Sequence, residues 1–65
     1  MTWLLLILKN DEVTVTKEYR TACLCCDAVL KAGEYYRKMG EVVTVQMKDE
    51  EGRLVFEGEV NRDNQ

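Results

Sequence analysis

Val42-Val43-Thr44-Val45-Gln46-Met47 and Leu54-Val55-Phe56-Glu57-Gly58-Glu59-Val60, joined by Asp49-Glu50-Glu51-Gly52, make the clearest structural statement in this chain. Apolar and polar residues alternate along both runs, as they do in a strand with one buried and one solvated face. The link is an acidic turn ending in glycine, a residue that enters tight reversals at no steric cost. The spacing predicts an antiparallel hairpin over 41–60. Val43, Val45 and Met47 are expected on one face with Leu54, Phe56 and Val60. Thr44, Gln46, Glu57 and Glu59 are expected on the other.

Upstream, the composition changes to helix formers. Ala22, Cys23, Cys26, Val29, Leu30, Gly33 and Tyr36 recur at three- and four-residue spacing, which predicts a helix over 20–39 with that set facing a sheet. Thr21, or Thr16 for an earlier start, supplies an N-cap oxygen. Arg37-Lys38 suits the negative helix end, and Gly40 suits the stop. Gly33 either weakens the helix or allows it to approach the sheet closely.

Further upstream, Trp3-Leu4-Leu5-Leu6-Ile7-Leu8 is aliphatic throughout and is followed by Lys9-Asn10-Asp11-Glu12 and the β-branched run Val13-Thr14-Val15-Thr16. Asn and Asp tolerate the backbone angles of a hairpin turn, so strands are expected over 2–9 and 12–18, with Tyr19 continuing the odd-numbered apolar set. The apolar run is too short for a membrane span. It also lacks the basic flank and small-residue cleavage site of a signal peptide. The fold class is therefore α+β: a small ββαββ domain, one antiparallel sheet of two hairpins (2–18 and 41–60) packed on a single helix, with a polar tail over 61–65.

Sixty-five residues form one domain. A chain of this length buries only about 60% of the surface its unfolded form exposes, so its stability is marginal unless something beyond its own core contributes. The net charge is −3, and it is unevenly placed: residues 41–65 hold seven acidic against three basic residues. An acidic half without a basic stripe argues against direct binding of nucleic acid, whose backbone is held by Lys and Arg.

Cys23, Cys25 and Cys26 lie within four residues in a chain that has no histidine and no serine. An odd number of thiols, two of them adjacent, is a poor disulfide framework and points to a reducing, cytoplasmic setting. The plainer reading is packing, because free cysteine is a small soft apolar residue. The alternative is a soft-metal or redox sensor using Cys23, Cys25 and Cys26, although helical spacing does not bring three sulfurs to one point. No nucleophile–base pair, metal triad or phosphate loop can be assembled, so neither catalysis nor a cofactor is expected.

Two surfaces remain. The first strand is apolar on both sides, and one helix covers one face of a sheet. Either Leu4, Leu6 and Leu8 or the Trp3/Ile7 set is left uncovered, with Val42 and Val55 as candidate neighbours, and a sheet-to-sheet homodimer would cover it. On the helix, Leu24, Ala28 and Tyr35 are expected along an outward line flanked by Ala32 and Met39, a spacing that suits a protein partner. Glu57 and Glu59 on the second hairpin offer a further possibility, an acidic inhibitor that imitates a nucleic-acid backbone towards some enzyme. The expectation is a non-enzymatic interaction module, a homodimer that binds another protein without a membrane. Its size and style fit the regulators and inhibitors carried by phages and mobile elements.

Overall fold

A computed structural model describes residues 2–61. The elements are β1 (Trp3–Lys9), β2 (Glu12–Tyr19), α1 (Ala22–Met39), β3 (Val43–Lys48) and β4 (Leu54–Val60), a ββαββ arrangement. The four strands form one open antiparallel sheet in the order β2-β1-β3-β4.

Each hairpin follows from its turn residues. Between β1 and β2, Asn10 and Asp11 both adopt left-handed backbone angles (φ 55 and 66), as a two-residue turn matched to the strand twist requires. Between β3 and β4, the Asp49 carboxylate accepts hydrogen bonds from the backbone N–H groups of Glu51 and Arg53, both at 2.9 Å. Gly52 takes the positive φ of 83 that closes the reversal.

Both hairpins also carry a one-residue irregularity absent from simple alternation. In the first, Ile7 pairs with Val15 but Leu8 pairs with Val13, leaving Thr14 as the extra residue; its hydroxyl donates to the Ile7 carbonyl at 3.1 Å. In the second, Met47 pairs with Phe56 but Lys48 pairs with Leu54, leaving Val55 extra. A slip of one residue moves a side chain to the opposite face. Val13 therefore leaves the odd-numbered set and stands beside Leu8. Leu54 leaves the face of Phe56 and stands beside Lys48.

Thr21 caps the helix, its hydroxyl accepting from the Leu24 N–H at 3.2 Å. Gly40 ends it in the left-handed region at φ 75, with its N–H donating to the carbonyls of Tyr36 and Arg37. Asn61, expected as the first residue of an uncommitted tail, is instead engaged. Its side-chain amide donates to the Tyr36 carbonyl at 3.0 Å and the Glu41 carbonyl at 2.8 Å, tying the end of β4 to the helix C-terminus. The rest of the tail, 62–65, lies outside the described residues.

The core is Leu5 and Ile7 of β1, Val43, Val45 and Met47 of β3, Val60 of β4 and Cys25 of the helix. Ala22, Ala28, Val29, Ala32 and Tyr36 pack against it from α1. This corrects the expected helix face in two respects. Cys25 is the thiol that faces the sheet, while Cys23 and Cys26 are exposed. Ala28 and Ala32, expected outside, face in. Three alanines and a cysteine let the helix lie close over β1 and β3, while Leu30 stays largely exposed.

Gly33 is not needed for that approach, because a methyl group built on it meets no atom within 4 Å. Gly33→Ala should therefore raise stability by about 0.5–1 kcal/mol through helix propensity. Urea unfolding followed by circular dichroism checks this, and an unchanged or lower midpoint would contradict it.

Candidate interaction surfaces

The chain connects β2 to β3 through α1, and these two strands run parallel with β1 between them. The helix therefore crosses above β1 on its way to β3, and β4 is added on the far side. This path leaves two apolar regions incompletely covered.

The first is the open face of the sheet. Leu5 and Ile7 are buried beneath the helix, so Leu4, Leu6 and Leu8 stand on the other face of a central strand, half-buried between their neighbours. Of the two strand-one sets, the leucines are thus the uncovered one. The registers define its rows: Glu18, Leu4, Lys48 and Leu54; then Thr16, Leu6, Gln46 and Glu57; then Val13, Leu8, Thr44 and Glu59. The leucines form a stripe along β1 with polar residues on both sides, and Val13 and Leu54, both about half exposed, add apolar corners. Of the two valines expected as neighbours of this stripe, Val55 is elsewhere. Val42 precedes β3, and Val55 lines the helix side of the sheet.

The second region is a groove of about 460 Å³ between the helix and β4, lined by Trp3, Cys26, Leu30, Met47, Val55 and Phe56. Leu30 is 69% exposed, Val55 51% and Phe56 45%. The Phe56 ring lies across Gly58, where a methyl group would stand 3.0 Å from its tip. The groove runs on past Gly33 towards Glu34 and Arg37. Sequence periodicity assigned Leu30 and Phe56 to the core. What it could not supply was the strand order, which leaves most of β4 without close cover from the helix.

The expected helix stripe survives in part. Leu24 and Tyr35 are more than half exposed, as is Met39, while Ala28 belongs to the core-facing side. Tyr35 meets Tyr36 edge to face with centroids 5.0 Å apart.

The cysteines are separated by the helix surface. Cys25 is fully buried, and burial, reinforced by the neighbouring Cys26, raises its pKa above the ordinary thiol value. Cys26 reaches towards Met47, with the two sulfurs 3.9 Å apart. Among the described residues, no three His, Cys, Asp or Glu side chains gather as a metal site.

The acidic hairpin is partly engaged in its own structure. Arg53 pairs with Asp49 at 3.1 Å and with Glu51 at 2.9 Å. The Asp49 carboxyl is held below its usual pKa, chiefly by the Arg53 backbone N–H, then by that of Glu51 and the guanidinium. Glu57 accepts from the Gln46 amide at 2.8 Å.

No protein-family model, curated protein or solved structure matches the chain. No helix among the described residues is long and apolar enough to cross a membrane.

Thiol accessibility gives a direct check on this geometry. A maleimide added to the native reduced protein should modify Cys23 and Cys26 rapidly and Cys25 only at the rate of unfolding, because that thiol is both buried and held protonated. Intact-mass spectra would show two fast additions and one slow one, and three equal rates would contradict the packing.

Proposed function

We propose that this protein is a small non-catalytic interaction module of the reducing cytoplasm that pairs with itself through the open face of its sheet and, as a dimer, regulates or inhibits another protein. The observation that carries the reading is the leucine stripe. Leu4, Leu6 and Leu8 occupy a central strand of a four-stranded sheet whose other face alone bears the helix. Stacking two such faces is the ordinary way for open sheets to bury an apolar side. It would also supplement a core of seven buried residues. The three free thiols support a reducing compartment.

The α1–β4 groove and the flank bearing Leu24 and Tyr35 stay exposed when the sheet faces pair, which leaves them for a different protein. The acidic-inhibitor reading has less support. Asp49 and Glu51 share the Arg53 guanidinium, which offsets one of their two charges, and Glu57 is bonded to Gln46. A sensor built on the cysteines has less again, since Cys25 serves the core.

Light scattering on the reduced protein over a dilution series tests the reading. The wild type should show the mass of two chains at micromolar concentrations. Leu6→Glu should show one chain with an unchanged circular dichroism spectrum, and Leu24→Glu should remain paired. A monomeric wild type, or a dimer that tolerates Leu6→Glu, would overturn the proposal.

A further inference from the structure

The open face has a charge pattern that selects one way of pairing two copies. In the first row, Glu18 of β2 and Lys48 of β3 flank Leu4, one on each side. They stand two strand spacings apart, about 10 Å, too far to meet each other across Leu4. Among the described residues, no ion pair engages either of them. Each is a charge at the margin of the leucine stripe whose complement stands on the opposite margin.

Three two-fold arrangements of stacked faces can be compared row by row. An axis perpendicular to the strands lays β4 over β4 and brings Glu57 against Glu57 of the partner subunit, a like-charge contact. An axis parallel to the strands but midway between β1 and β3 lays Leu4 over Lys48 of the partner subunit and Leu6 over Gln46 of the partner subunit, so apolar faces polar. An axis parallel to β1 and passing along it does neither. The leucines then stack on their own counterparts, Thr16 lies over Gln46 of the partner subunit, and Glu18 lies over Lys48 of the partner subunit. The last contact occurs twice by symmetry. Strand β4, with Glu57 and Glu59, is left outside the overlap, at the solvated rim.

Resting on the homodimer reading above, the geometry points to a second copy of this chain as the occupant of the open face, docked about a two-fold axis along β1 and keyed by reciprocal Glu18–Lys48 pairs. The acidic residues of β4 then serve as a rim that disfavours the competing registers. The modest rotation of about 30° usual between stacked sheets keeps the Glu18–Lys48 contact within reach, because both side chains are long.

Charge exchange tests this. Glu18→Lys and Lys48→Glu should each raise the dimer dissociation constant about tenfold by replacing two attractions with two repulsions. The double variant should return to within about threefold of wild type. Mixing the two single variants should give heterodimers in preference to either homodimer, since both pairs are then restored, and native mass spectrometry resolves the three species. Additive losses in the double variant, with Leu6→Glu still dissociating the dimer, would overturn the axis while leaving the face correct. A wild type that is monomeric throughout would overturn the pairing of faces itself.

Discussion

One helix over four strands is the constraint on which the rest of the structure depends. An α-helix with its side chains is about 10 Å across, and strands lie about 4.8 Å apart, so one helix covers about two strands well. Here those strands are β1 and β3, which supply five of the seven core residues. The connection from β2 over β1 to β3 fixes that placement, and β4 is sheltered only at Val60, where Asn61 ties the chain back to the helix end. The open leucine face and the α1–β4 groove are both consequences of this shortage of cover.

The strands and the helix were legible because alternation and turn chemistry agree locally. Asn10-Asp11 and Asp49–Gly52 bound the hairpins, and Thr21 and Gly40 bound the helix, each for a reason visible in a few residues. The bulges were not legible. Nothing in Val13-Thr14-Val15 announces that Thr14 is extra, since the pairing that makes it so involves Ile7 and Leu8 on another strand. Val13 and Leu54 were accordingly expected on the wrong face.

The helix face was misjudged for a different reason. Its large apolar residues, Leu24, Leu30, Tyr35 and Met39, are spread around the cylinder, while the residues that reach the sheet are mostly small. Hydrophobic size favoured a face containing Leu30, but proximity favoured one containing Cys25, Ala28 and Ala32. The same choice explains the cysteine cluster. One of three adjacent thiols is a packing residue, and the other two are carried on the outside of the turn that positions it. The candidate surfaces show the same division. The leucine stripe could be anticipated from strand one, whereas the groove and the Glu18–Leu4–Lys48 row required the strand order and register.

The central claim is that the uncovered face of β1 meets its own copy. Isotope-filtered nuclear Overhauser spectroscopy on a mixture of carbon-13-labelled and unlabelled protein tests it most directly, because only contacts between chains give signals. The account predicts cross-peaks from the Leu4, Leu6 and Leu8 methyls to the same residues of the other chain, with none from Leu30 or Phe56. Cross-peaks confined to the α1–β4 groove, or none at all at millimolar concentration, would contradict it.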